Sequence, residues 1–156
     1  MLSIHLDQYE QIREHAEQAY PLECCGVLLG PNDHPHAGSG ELWKAAREVS
    51  MVVPCANMKG QAARTRYKID PKRLIEIQRG ARENALVVVG FYHSHPDAPP
   101  YWSRTDLEQA YWTGSSYVIA SVMKGAAAEV RSFLLCGTGD EDKKFEEEEL
   151  LVTETA

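Results

Sequence analysis

The chain has 156 residues, 44% of them hydrophobic, and carries a net charge of −7. That length buries a substantial core without disulfides or a second domain. Cys24 and Cys25 are adjacent, Cys55 and Cys136 are isolated, and no Cys-x-x-Cys pair exists, a usage that does not suggest an oxidised scaffold and leads to the expectation of reduced thiols in a cytoplasm. No apolar run approaches the roughly 20 residues of a membrane span, and no N-terminal stretch reads as a signal peptide. The acidic balance disfavours a nucleic-acid partner.

A first helix is expected over residues 7–20, where Tyr9, Ile12, Ala16 and Ala19 recur at helical spacing. Asp7-x-x-Glu10 opens it as a capping box and Pro21 stops it. Strands follow near 25–30 and 41–53, separated by a loop at 31–40 rich in Pro, Gly, Asn and Asp. His34-Pro35-His36 lies in that loop and reads as solvent-exposed polar residues. Residues 54–66 read as irregular. Asp70 as cap and Pro71 in the first turn open a second helix that carries Leu74, Ile75, Ile77 and Ala81 toward the core and ends near Asn84.

Residues 85–92, ALVVVGFY, form an apolar β-branched run of strand length that ends where His93-Ser94-His95 begins. In an extended chain, side chains two apart share a face, so His93 and His95 point the same way with Cα atoms about 6.5–7 Å apart. Ser94 belongs to the other face and is assigned to packing or supporting hydrogen bonds. Pro96, Pro99 and Pro100 then impose a turn over 96–102, and Ser103-Arg-Thr-Asp106 reads as a helix start. That start is both a capping box and a means of returning Asp106 to the histidines. Two imidazoles and one carboxylate suit zinc, and three protein ligands leave the fourth tetrahedral position for water, as in catalytic sites.

Beyond Asp106, Gly114-Ser-Ser turns the chain into strands near 117–123 and 128–135, joined around Lys124-Gly125. Residues 139–156 hold eight acidic residues against two lysines, so this segment accounts for −6 of the net charge. It reads as a solubilising turn that leads into a final edge strand at 148–152, or as a frayed end. By contrast, Lys59, Arg64, Arg66, Lys68, Lys72 and Arg73 face one acid, Asp70. They form either a solvated helix start or a docking surface for an acidic protein. The mixed order of helices and strands gives an α/β protein with a sheet flanked by helices.

Upstream, Glu23 sits between Pro21 and a short apolar strand starting near Cys25, a place where a carboxylate is ordinarily a solvated cap or an ion-pair member. Taken with the later segment it completes a longer pattern: a Glu, then His93-Ser-His95, seven residues, Ser103, two residues, Asp106. On these positions the chain resembles the JAMM (MPN-plus) zinc metalloprotease family, and within it the small bacterial members that act on ubiquitin-like sulfur-carrier proteins. The likeness extends through Glu23-Cys-Cys-Gly-Val-Leu-Leu-Gly, Arg66-Tyr-Lys-Ile-Asp-Pro71, Gly90-Phe-Tyr-His-Ser-His-Pro96 and Tyr117-Val-Ile-Ala-Ser-Val122.

The resemblance implies a single MPN domain of cytidine-deaminase-like layout, with the catalytic domain over 1–138 and the acidic segment 139–156 attached to it. It implies Zn2+ held by His93, His95 and Asp106, Glu23 as general base and proton shuttle, and Ser103 as donor to the developing oxyanion. The implied substrate is an amide bond after the C-terminal Gly-Gly of a ubiquitin-like sulfur carrier, since residues without a Cβ thread a narrow cleft most easily. Asn57, Tyr92, Asp97, Tyr101 and Trp102 are the expected walls for that tail. Two rival functions are a non-catalytic zinc-binding MPN scaffold and a zinc deaminase, and the chain lacks the His-x-Glu and Pro-Cys-x-x-Cys elements of the latter.

Overall fold

The computed structural model describes residues 1–32 and 46–154. His34, His36, most of the 31–40 loop and the start of the strand expected at 41–53 lie outside the described residues.

Strand β1 (Leu2–His5) leads directly into helix α1 (Leu6–Ala19). The helix begins one residue earlier than expected, and its cap is His5 rather than Asp7. The His5 Nδ1 accepts from the Asp7 backbone N–H at 3.2 Å, while the His5 N–H donates to the Gln8 side chain at 3.1 Å. After β2 (Cys25–Pro31), the chain forms the short strands β3 (Arg47–Glu48) and β4 (Met51–Cys55) and a 3-10 turn over Gly60–Arg64. Helix α2 (Pro71–Glu83) starts at Asp70, whose side chain accepts from the Lys72 N–H at 3.0 Å. The stretch 54–66 is thus partly regular.

Strand β5 (Leu86–Pro96) runs further than the apolar run alone predicts, so both histidines lie inside a strand. The turn delivers the short helix α3 (Arg104–Glu108), and β6 (Ser116–Met123) and β7 (Ala126–Cys136) follow. Lys124 and Gly125, with φ of 53° and 85°, make the tight link between those two strands. The acidic segment is woven into the fold as β8 (Lys144–Glu148) and β9 (Leu150–Thr153).

Six strands form one mixed sheet in the order β4-β2-β5-β6-β7-β8, in which only β5 and β6 are parallel. A second sheet, β3-β1-β9, is parallel throughout. Each face of the large sheet carries its own apolar layer. Ile12 and Ala16 of α1 pack with Leu28, Tyr92, Val118 and Val122 on one side, and Ile77 and Ala81 of α2 pack with Val27, Phe91, Tyr117 and Leu135 on the other. Gly26 lets the Tyr92 ring cross β2, because a Cβ there would meet the ring itself. Ile75, expected in the core, is 55% exposed. The 3.6-residue period that buries Ile77 and Ala81 turns Ile75 outward.

The two sheets are tied by a buried polar hub. Arg47 on β3 donates to the carbonyls of Val89 and Gly114 and to the Ser116 hydroxyl, and it pairs with Glu148 at 3.0 Å. Both Glu148 oxygens are occupied: the Ser116 hydroxyl donates at 2.5 Å, the Ser132 hydroxyl at 2.8 Å, and the Met1 ammonium lies at 3.3 Å. One glutamate of the segment read as solubilising is therefore a structural centre.

Candidate metal centre and its clefts

Alternation along β5 decides which side chains meet. Phe91, His93 and His95 face the α2 side, and Tyr92 and Ser94 face α1. The two histidine Nε2 atoms are 3.1 Å apart, and Asp106 Oδ2 lies 3.1 Å from His95 Nε2 and 3.3 Å from His93 Nε2. These separations match a tetrahedral metal site, in which bonds of about 2.0 Å set ligand atoms about 3.3 Å apart. The donor set therefore fits a single divalent ion.

Capping geometry brings Asp106 to this place. The Ser103 hydroxyl accepts from the Asp106 N–H at 3.1 Å, and Asp106 Oδ2 accepts from the Ser103 N–H at 2.9 Å. That oxygen faces the histidines as well, so one carboxylate both caps α3 and stands beside the two imidazoles. Lys143 steadies the far end of α3 by donating to the carbonyls of Glu108 and Ala110 at 3.1 and 3.0 Å. His95 Nδ1 donates to the Pro99 carbonyl at 3.1 Å, which fixes the ring so that Nε2 faces the cluster.

The charges respond to this packing. Burial, the largest single influence on Asp106, pushes its carboxyl up, but hydrogen bonds and charge from His93 and His95 together hold it well below the usual carboxylate range. His93 is lowered by burial. Burial also pulls His95 down, yet the Asp106 carboxylate outweighs it and raises the ring. Glu23, 5% exposed, is pushed up to about 8, first by burial and against the opposing charge of His95. A carboxylate oxygen of Glu23 lies within 4.8 Å of a ring nitrogen of each imidazole, so Glu23, His93 and His95 are also close enough to share an ion. The tighter 3.1–3.3 Å spacing of Asp106 Oδ2 from both rings favours Asp106 as the third ligand, and Glu23 Oε1 has no hydrogen-bond partner.

Glu23 is held through its backbone. Its N–H donates to the Ala63 carbonyl at 2.6 Å, and Asn57 Nδ2 donates to its carbonyl at 3.0 Å. Next along the chain, the Cys24 N–H donates to Ser94 Oγ at 2.8 Å, which confirms the supporting position expected of Ser94.

The expected walls divide. Tyr101 and Trp102 line a cleft of about 400 Å³ together with Glu23, His95 and Ser103. Tyr92 does not: it is fully buried under α1, with its hydroxyl 2.7 Å from His15 Nδ1, because an even position on β5 points away from the histidines. Asp97 is exposed but braces the turn, accepting from the Tyr20 hydroxyl at 2.6 Å and the Lys124 N–H at 2.7 Å. Asn57 is committed to backbone, since its Nδ2 also donates to the Arg66 carbonyl and its Oδ1 accepts from the N–H groups of Lys59 and Lys68. Through Nδ2 it holds the backbone of Glu23.

Tyr67 is the supporting residue that sequence reasoning passed over. Its ring stacks on His93 with centroids 4.4 Å apart and an interplanar angle of 20°. It stands within the Arg66-Tyr-Lys segment, where its aromatic character was the available signal.

Comparison with known proteins agrees with this geometry. The family model described as prokaryotic homologs of the JAB domain matches residues 5–136. A desampylase from Haloferax volcanii is 35% identical over 124 residues, covering 77% of this chain and 80% of its own length. A CysO-cysteine peptidase from Mycobacterium tuberculosis is 29% identical over 135 residues, covering 85% of this chain and 82% of its own. The solution structure of a Desulfitobacterium hafniense protein superposes with a TM-score of 0.77 at 29% identity, covering 99% of this chain and 94% of that one. Fold, site and relatives define a hydrolytic enzyme of the JAMM peptidase class. The chain belongs to the prokaryotic JAB family and forms a single JAB/MPN domain of mixed α/β architecture. Among the described residues, no helix is long and apolar enough to cross a membrane.

Proposed function

We propose that this enzyme is a zinc peptidase that hydrolyses the amide bond after the C-terminal Gly-Gly of a ubiquitin-like sulfur-carrier protein. The carrying observation is the triangle of His93 Nε2, His95 Nε2 and Asp106 Oδ2, with the buried Glu23 carboxylate, whose Oε1 has no partner, at its edge. The names of the desampylase and the CysO-cysteine peptidase support the choice of substrate.

Zinc held by His93, His95 and Asp106 would supply a Lewis acid and lower the pKa of a water toward roughly 7. The remaining steps belong to the chain. Glu23 accepts the proton of the attacking water and delivers it to the departing amine, a task suited to a carboxylate whose burial makes it more basic than usual. The Ser103 hydroxyl uses its oxygen to cap α3, which leaves its hydrogen to donate toward the oxyanion that forms on the glycyl carbonyl. Tyr67 keeps the His93 ring in plane by stacking. Glycine at the scissile position lets the substrate backbone pass close to these groups.

Intact-mass analysis of a carrier ending in Gly-Gly-Cys tests the reading. Zinc-loaded wild type removes the terminal residue, whereas the Glu23→Gln variant and a chelated sample do not. Equal inactivity of all three across several carriers, with zinc bound, would point instead to a scaffold.

A further inference from the structure

Two clefts lie near the candidate metal centre, and only one of them is lined by a histidine. The wider one, about 400 Å³, holds Glu23, His95, Ser103, Arg64, Thr65 and Trp102. The other, about 290 Å³, is lined by Tyr67, Lys68, Ile69, Leu74, Phe91 and Trp112. It connects to Asp106 past Lys59, Tyr67 and Gln109.

Proton balance assigns the two sides. Hydrolysis breaks the amide C–N bond, places the water oxygen on the glycyl carbon, and requires a proton on the departing nitrogen. Glu23 carries that proton, so the departing nitrogen lies on the side of Glu23, in the wider cleft. The Gly-Gly tail then approaches from the other side, past Tyr67, Lys59 and Gln109.

Arg64 borders the leaving-group side. It is the last residue of the 3-10 turn, directly after Ala63, whose carbonyl takes the Glu23 N–H at 2.6 Å, so its backbone is fixed beside the general base. Its side chain is exposed, and among the described residues no carboxylate lies within ion-pairing distance of it. A planar cation in this position matches a carboxylate bidentately. In a leaving group joined through its α-amine, an α-carboxylate stands only two carbon atoms from the departing nitrogen. A lysine joined through its ε-amine presents only methylenes there.

Resting on the peptidase reading above, we propose that Arg64 is a specificity residue that binds the α-carboxylate of the leaving group, so that the preferred product is a free amino acid released from the carrier tail rather than a lysine side chain released from an isopeptide. The enzyme acts on this side as a carboxypeptidase of one residue.

Three carriers test this: one ending in Gly-Gly-Cys as the free acid, the same chain as the C-terminal carboxamide, and one joined through Gly-Gly to a lysine ε-amine. Zinc-loaded wild type cleaves the acid with a KM roughly ten- to hundredfold below that of the other two, the range expected of a charge-assisted bond. Arg64→Gln raises the KM for the acid to the level of the amide, and Arg64→Lys recovers part of the difference. Equal KM for acid and amide in wild type, a preference for the lysine isopeptide, or an equal loss on all substrates in Arg64→Gln would overturn the proposal while leaving the peptidase reading intact. Failure of wild type to cleave any carrier counts against that reading. A separate arm then decides on Arg64: calorimetric binding of acid- and amide-ended carriers to the Glu23→Gln protein must still favour the acid, and absence of that preference would overturn the role of Arg64.

Discussion

Two glutamates with buried side chains, Glu148 and Glu23, have opposite surroundings. Glu148 sits between the sheets with both oxygens engaged by Arg47, Ser116, Ser132 and the N-terminal ammonium. Glu23 is 5% exposed, yet one of its oxygens has no partner and its carboxyl is pushed up to about 8. A buried charge with full partnership organises a fold, while one left without a partner is costly and is kept where its reactivity is used. The two residues therefore respond in opposite ways to removal of the carboxylate.

The largest contrast is in catalysis. Glu23→Gln lowers kcat by roughly 10²–10⁴-fold, the usual worth of a general base, whereas a conservative Glu148→Gln change acts mainly on stability; steady-state cleavage of a carrier with a Gly-Gly tail measures both. On the stability side, Glu148→Ala strips Arg47 of its buried partner and destabilises by about 3–5 kcal/mol in urea unfolding. Retention of wild-type stability would remove Glu148 from the structural side of the comparison.

Glu23 predicts the reverse sign. Its folded pKa lies above its unfolded value of 4.5, so the folded chain binds the extra proton between pH 4.5 and about 8. Stability of the chelated protein thus falls as pH rises through that window, because ionisation is easier in the unfolded chain. Glu23→Gln removes this slope, and at pH 8 the chelated variant is more stable than wild type by about 2–4 kcal/mol, the scale of a shift of that size. Parallel stability curves against pH for the two proteins would contradict the burial argument. The smallest effect belongs to Ser103→Ala, which loses the α3 cap and about 1 kcal/mol, visible as a drop in thermal midpoint separate from its loss of rate.

The sequence makes the cluster legible for a physical reason. His93, His95, Ser103 and Asp106 lie within one strand–turn–helix unit, where period two and capping rules act locally. The same period applied one residue earlier turns Tyr92 away from the site, so nearness in the chain to His93 does not make it a wall. The clamps on Glu23 were not legible. Asn57 and Ala63 reach it from a loop more than thirty residues away, and nothing in their own neighbourhood marks that bond. Tyr67 stacks on His93 across a similar separation. Charge density hid Glu148 in the acidic segment, because a run of like residues gives no sign of which one turns inward. The helix cap at His5 was missed because a more usual capping pattern begins two residues later.

The measurement that bears most directly on the whole account is zinc content and carrier cleavage determined on the same preparations of wild type and Glu23→Gln. The account predicts one zinc per chain in both proteins and release of the residue after Gly-Gly by wild type alone. Cleavage by Glu23→Gln at the wild-type rate, or loss of zinc with that substitution, would contradict the proposed division of roles between His93, His95 and Asp106 as ligands and Glu23 as base.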